Sequence, residues 1–275
     1  MSGIITSGEK HLVLVSGRAH PVLAEEVAKE LGVDLLPTDA WDFANGEIYV
    51  RYGESVRGAD VFVLQSHPAP INNWLMEHLI MVDALKRASA KRITAIAPSY
   101  PYARQDKKHR GREPISARLV ADLYKTAGID RLISVDLHAP QVQGYFDGPV
   151  DHLMAMPILA KYVESTYGDE DLCVVSPDAG RIGVAEKWAK RLGGVNLAFV
   201  HKSRDPRRPN QAVAKRIIGD VQGKTCILVD DMIDTAGTIV QAVEALTKNG
   251  ASSVVVATTH PIFSLSLIHI SEPTR

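Results

Sequence analysis

Residues 228–238, LVDDMIDTAGT, place two kinds of chemistry side by side. An apolar run ends in two carboxylates, Asp230 and Asp231, and a short loop follows, Ile233-Asp234-Thr235-Ala236-Gly237-Thr238, before a helical pattern. Small residues let a backbone approach a ligand closely, and the helix after the loop points free N–H groups at it. Thr235 and Thr238 add hydroxyl donors, so the loop suits a phosphate monoester. The paired acids accept hydrogen bonds from neighbouring hydroxyls, as a sugar diol offers. Together they read as a pocket for ribose 5-phosphate. The plainer alternative is a helix capped by Asp234 or Thr235 behind an acidic strand end. The coincidence of two acids, a small-residue loop and two threonines favours the pocket. With no GK[ST], it is not a Walker A loop.

Other segments carry charge where chemistry would use it. Residues 98–112, PSYPYARQDKKHRGR, come after a strand pattern and bring Tyr100, Tyr102, Arg104, Gln105, Lys107, Lys108, Arg110 and Arg112. Arginine forks bind phosphate oxygens in pairs and stack on flat rings, as a nucleoside triphosphate requires; a bare basic cluster is more often a solvated loop. Phe43, Asn45, Gly46 and Glu47 (FANGE) offer a ring, a turn and a carboxylate. They suit adenine, although alone they read more simply as a hairpin turn. Asp136 and His138, in VDLHAPQ, stand just past another strand pattern, where they suit a metal or a phosphate. A lone Asp-x-His is more often structural. Residues 201–210, HKSRDPRRPN, hold Lys202, Arg204, Arg207 and Arg208 among prolines and are too polar for a core.

These segments need strand ends to hold them, and the rest of the chain supplies such ends. Near-continuous apolar runs at 11–16, 60–66, 92–98, 131–136, 172–176, 197–201, 225–230 and 253–258 read as strands covered on both faces, as in parallel sheets. Helical patterns at 21–31, 72–90, 115–127, 155–166, 181–192 and 237–249 alternate with them. The expected class is therefore α/β, with four strands in each half and a boundary after the Gly- and Pro-rich stretch before residue 153. Length, 275 residues, accommodates two domains. With 45% apolar and 23% charged residues, whole-chain disorder is excluded. Thirty-one basic residues against 32 acidic ones leave a net charge of −1, which argues against a dedicated nucleic-acid binder. Cys173 and Cys226 lie in apolar runs and read as buried, reduced thiols, not as a disulfide or zinc framework. No 18-residue apolar run and no basic-then-apolar leader appear, so the expected location is the cytoplasm, with no membrane partner.

The loop at 228–238 resembles the phosphoribosyl-diphosphate-binding loop of the phosphoribosyltransferase-like fold. With the four other segments, in the same order over about residues 8–264, the chain resembles the ribose-phosphate diphosphokinase family. The resemblance implies two similar phosphoribosyltransferase-like domains, 1–152 with the ATP-binding elements and 153–264 with the ribose 5-phosphate and catalytic loops. It implies transfer of the β,γ-diphosphoryl group of ATP to the 1-hydroxyl of ribose 5-phosphate, with Mg²⁺, in a homo-oligomer that is a hexamer built from dimers. By the same resemblance Phe43, Asn45, Gly46, Glu47, Arg104 and Gln105 bind ATP, with Asn45 where Asp is common. His138 and Asp178 (in SPDAGR) are linked to the metal. Asp230, Asp234, Thr235, Ala236, Gly237, Thr238 and Arg204 bind ribose 5-phosphate, and Lys202 and Arg204 are catalytic.

The tail 265–275, LSLIHISEPTR, departs from the family's pattern and is expected to be a cloning or sequencing scar in place of the natural end. An inactive or binding-only form is the alternative that this departure raises. A phosphoribosyltransferase would not need the Arg104–Gln105, Phe43–Glu47 and Lys202 segments, and a non-catalytic homologue typically loses residues that are present here.

Overall fold

The computed structural model describes residues 12–202 and 215–263. The chain divides into two compact units between Leu153 and Met154, one residue past the expected boundary. In the first unit the elements are β1 (Leu12–Ser16), α1 (Pro21–Leu31), β2 (Thr38–Asp42), β3 (Ile48–Tyr52), β4 (Asp60–Leu64), α2 (Ile71–Arg87), β5 (Arg92–Ile96), α3 (Ser116–Ala127), β6 (Arg131–Val135) and β7 (Val150–Leu153). β1-β4-β5-β6-β7 form one sheet in that order, every neighbouring pair parallel. β2 and β3 pair antiparallel as a separate hairpin.

The second unit holds α4 (Met156–Tyr167), β8 (Leu172–Ser176), α5 (Ile182–Arg191), β9 (Asn196–Lys202), β10 (Lys215–Ile218), β11 (Thr225–Ile233), α6 (Gly237–Lys248) and β12 (Ser253–Pro261). Its sheet runs β10-β9-β8-β11-β12, parallel except for the β9–β10 edge pair.

The apolar runs become strands because both faces are covered. All five residues of β8 are buried. Side chains alternate across a strand, so Cys173 and Val175 join Ala198, Val200, Cys226 and Leu228 beneath Ile239, Ala242 and Leu246 of α6. Val174 joins Ile227 and Val229 on the other face, beneath Ala160 and Val163 of α4 and Ala185, Trp188 and Ala189 of α5. Cys173 and Cys226 are register partners on β8 and β11, both buried and unbridged. In the first unit, Val13, Val15, Val61, Val63, Ile93, Ala95 and Leu132 pack on Leu75, Met81, Val82 and Leu85 of α2 and on Val120, Ala121 and Tyr124 of α3.

Four strands fall outside the sequence expectation: β2, β3, β7 and β10. β2 (TDAWD) has no buried residue and β3 is only half-buried, so neither presents an apolar run. β7 and β10 are four-residue edge strands. β11 also runs further than expected, to Ile233, because β12 continues to pair with it as far as Pro261. Asp230 and Asp231 therefore sit inside the strand, not at its end.

Candidate active site

Parallel sheets expose their loops along one edge, at the carboxyl ends of the strands, where ligands of α/β proteins bind. In the second unit β9, β8 and β11 are parallel neighbours, so their carboxyl-end loops share that edge. Asp178 stands just after β8. Its Oδ1 accepts from the Gly180 amide at 2.9 Å, and its carbonyl accepts from Ser176 Oγ at 2.6 Å, which fixes the turn. Lys202 is the last residue of β9. Arg204 lies outside the described residues, as do Arg207, Arg208 and the tail 265–275.

The acid pair is not alone. Arg181, from the turn between β8 and α5, places Nη2 2.6 Å from Asp231 Oδ1 and Nε 3.9 Å from Asp230 Oδ1. Asp230 Oδ1 also accepts from the Asp231 amide at 2.9 Å. Burial, with the Asp231 carboxylate beside it, pushes the Asp230 carboxyl up to about 7, against the smaller opposing pull of Arg181. Two carboxylates under one guanidinium carry a net charge of about −1 when both ionise. Arg181 was within reach of sequence reading, three residues after Asp178 in SPDAGR, but nothing in the spacing says that it crosses to β11.

Neither Asp234 nor Thr235 caps α6. The helix starts at Gly237, its N-cap is Ala236 in the left-handed region (φ 52), and no side chain bonds the first amides. At Gly237 a Cβ would meet nothing within 4 Å. The capped-helix alternative is thereby set aside. What remains is a half-exposed turn that directs free N–H groups outward, with the Thr235 and Thr238 hydroxyls exposed around it.

In the first unit the same logic collects the other segments. Loops after β1, β4, β5 and β6 share one edge. Gln105 closes a turn, its N–H donating to Tyr102 O at 3.0 Å, while its carbonyl accepts from the Ala117 amide at 3.2 Å. Ser116 Oγ donates to Gln105 Oε1. Arg104 is exposed. Glu113 accepts from the His109 and Arg110 amides at 2.7 and 2.9 Å, which folds the basic loop back on itself. These bonds lower the Glu113 pKa, the Arg110 amide contributing most. Asp136 has φ 40, and half-buried His138 lies two residues on. Underneath, His67 Nδ1 lies 3.3 Å from the Ser99 carbonyl, and burial lowers its pKa to about 4, so it is a neutral support for this loop.

Phe43–Glu47 forms the turn of the β2–β3 hairpin. Gly46 (φ 87) supplies the left-handed position, the Gly46 amide donates to Phe43 O at 2.8 Å, and the Glu47 amide donates to Asn45 Oδ1 at 3.2 Å. Phe43 is half exposed and stands edge-on to Tyr49. Phe43, Gly46 and Glu47 face Asn72, Asn73, Met76 and Ile80 of α2 across a cavity of about 550 Å³. Tyr102 donates to Asn72 Oδ1, so the first turn of α2 borders both the hairpin and the loop that carries Arg104 and Gln105. Asn72 and Tyr102 thus join the site, although neither stood out as a ligand contact.

Two parallel α/β units with loaded strand-end loops, one of them an acid pair before an uncapped helix, define a protein of the phosphoribosyltransferase type. Family models agree: the N-terminal domain of ribose phosphate pyrophosphokinase matches residues 12–128, and the phosphoribosyl transferase domain matches residues 152–261. A ribose-phosphate pyrophosphokinase of Mycobacterium tuberculosis is 64% identical over 264 residues, 96% of this chain and 81% of its own length. One from Corynebacterium glutamicum is 67% identical over 256 residues, 93% of this chain and 79% of its own length. The crystal structure of phosphoribosylpyrophosphate synthetase from Mycobacterium smegmatis superposes with a TM-score of 0.90 at 64% identity, covering 96% of this chain and 86% of that one. The chain belongs to the ribose-phosphate pyrophosphokinase family.

Proposed function

We propose that this protein transfers the β,γ-diphosphoryl group of ATP to O1 of ribose 5-phosphate, giving 5-phosphoribosyl 1-diphosphate and AMP. The observation that carries the reading is the acid pair Asp230–Asp231 set before the uncapped start of α6. The hydroxyls of a ribose donate to the carboxylates, while its 5-phosphate takes the free amides of 236–238 and the Thr235 and Thr238 hydroxyls. Asp234 belongs to the same turn. ATP is held by the first unit. Phe43 offers its exposed ring to adenine, Asn45, Gly46 and Glu47 offer hydrogen bonds, and Arg104 and Gln105 take phosphate oxygens.

In the reaction, O1 attacks the β-phosphorus and loses its proton to solvent, the bond from that phosphorus to the oxygen bridging it to the α-phosphate breaks, and AMP leaves with that oxygen. Such transfer depends on positioning and on charge placed against the moving group. Lys202 and Arg204 supply that charge, and Arg204 also contacts ribose 5-phosphate. We expect Lys202→Ala and Arg204→Ala each to lower turnover by roughly 10³–10⁵, the range of a catalytic arginine in phosphoryl transfer. A loss under tenfold in both would remove them from the mechanism.

Mg²⁺ fits the donors at hand. Among the described residues no three His, Cys, Asp or Glu side chains cluster as a cage. Mg²⁺ needs none, since it keeps its waters and binds through one or two carboxylates and substrate phosphates. Asp178, half-buried at the strand-end edge of its own sheet, and half-buried His138, after β6, are the residues that would contact it. When bound, the ion neutralises phosphate charge.

The assembly is proposed to be a homo-oligomer, a hexamer built from dimers. Ile115, at the N-cap of α3, and Leu119 and Leu123 within it are exposed and support association. A cytoplasmic location is supported by two buried, unbridged cysteines, and among the described residues no helix is long and apolar enough to cross a membrane. Names borne by relatives at 64–67% identity do not favour the binding-only alternative. The test is AMP formation from ATP and Mg²⁺, with and without ribose 5-phosphate. Ribose-dependent AMP is the expected result, and AMP release indifferent to the sugar would reject the reading.

A further inference from the structure

The turn after β1 holds a side-chain cluster that the proposed reaction does not use. Gly17 packs so closely on Gln65 that a Cβ there would lie 2.4 Å from its side-chain atoms. The next residue, Arg18, meets Glu77 of α2 three times. Its amide donates to Oε1 at 2.7 Å, Nε donates to Oε2 at 2.7 Å, and Nη2 lies 2.6 Å from Oε2. Gln65 Nε2 completes the acceptor with a 2.9 Å bond to Oε1. The Glu77 side chain is fully buried, so its charge needs this guanidinium. Arg18 Nη2 then reaches Asp42 Oδ1 at 2.6 Å.

Asp42 is the last residue of β2, immediately before Phe43. Among the described residues the hairpin belongs to no larger sheet, so no ladder there fixes its direction. Its base is held by Tyr52, whose hydroxyl donates to Met81 O on α2 at 2.9 Å. Its tip end is held by Arg18. Both ties run to α2, and α2 is also the far wall of the 550 Å³ cavity behind Phe43 and Glu47. A planar guanidinium whose Nε and Nη2 both meet Oε2 of a buried carboxylate, while the backbone amide of the same residue holds Oε1, is a rigid post, unlike a solvated ion pair between two mobile side chains.

We propose that Arg18 is a positioning residue for the nucleotide: anchored on Glu77, it holds Asp42 and so sets the turn Phe43–Glu47 against α2. The inference rests on the reading of that turn as the adenine contact. Asp42→Ala cuts the tie while leaving the buried Arg18–Glu77 pair whole, and the Asp42 side chain is about half exposed (54%), so the fold is kept. Arg18→Met cuts both arms and strands Glu77. Arg18→Lys keeps charge on Glu77 but lacks the fork, so it gives an intermediate value.

The experiment measures KM for ATP, KM for ribose 5-phosphate, turnover and amide exchange at Phe43 and Gly46, with Phe43→Ala as control. In Asp42→Ala, KM for ATP is expected to rise roughly three- to fivefold, as loss of a well-placed exposed pair allows. KM for ribose 5-phosphate and turnover stay, and exchange at the two turn amides quickens. If Phe43→Ala raises KM for ATP and Asp42→Ala does not, the inference fails and the adenine reading stands. If Phe43→Ala leaves KM for ATP unchanged, the adenine reading of the turn fails and takes the inference with it.

Discussion

If Asp230 receives the sugar as proposed, it sets how ribose 5-phosphate binding responds to pH. Its carboxyl is held up at about 7, first by burial and then by Asp231. In the proposed site a sugar hydroxyl would donate to the carboxylate, so KM for ribose 5-phosphate is expected to fall as pH rises from 6 to 8. A profile flat across that range, with turnover measured separately, would show that Asp230 does not receive the sugar. For stability the sign is opposite. Folded Asp230 keeps its proton between the ordinary 3.8 and about 7, whereas the unfolded residue has lost it. Folding therefore takes up a proton in that window, and this group's contribution to stability falls as pH rises through it. Arg181 opposes the shift. Arg181→Met is expected to move the midpoint of the KM profile up by about one pH unit, the lower end of what a neighbouring charge does. A midpoint that stays in place, or moves down, would show that the 2.6 Å pair does not act on the acid.

At the scale of elements, the start of α6 separates stability from binding. Gly→Ala at a helix start with no positive φ is neutral to stabilising, because the unfolded chain loses freedom. At Gly237 the new methyl would meet no protein atom within 4 Å. It would stand where the proposed site brings a phosphate to the amides. Gly237→Ala is thus expected to hold or raise Tm while raising KM for ribose 5-phosphate about tenfold, a displacement of the phosphate by one methyl. Thermal unfolding beside kinetics checks both halves, and an unchanged KM would remove the phosphate from this helix start. That start was legible in the sequence, because small residues and threonines behind an apolar strand have few other uses. The strand before it was misjudged by three residues, because Asp230 and Asp231 look like an ending and β12 carries the pairing past them. The hairpin was legible only at its turn, through Asn45 and Gly46. Its strands escaped since TDAWD is mostly solvated and IYVRY only half-buried, and such ribbons leave no apolar run to read. Arg18 and Arg181 escaped for a different reason. Each acts on residues dozens of positions away, and such pairs are visible only once strands have been laid side by side.

On the scale of the whole molecule, each unit has its own sheet and its own core, and the proposed substrates divide between the units. The core of the first unit draws on residues from Val13 to Phe146, and those of the second on residues from Ala160 to Ala257. A ligand that binds the folded form protects what it touches, by RT ln(1 + [L]/Kd), or about 2.7 kcal/mol at one hundred times Kd. The protection spreads through the cooperative unit that holds the site. ATP with Mg²⁺ is therefore expected to slow amide exchange at 43–47 and 98–105 and across the first unit's sheet. Ribose 5-phosphate alone is expected to slow it at 230–238 and along β8 and β11. Pulsed exchange read by mass spectrometry distinguishes the two patterns. If ribose 5-phosphate protected the first unit and left 230–238 unchanged, the assignment of substrates to units would be reversed. If each ligand protected only its own unit, the carboxyl edge of one sheet would hold the donor and that of the other the acceptor.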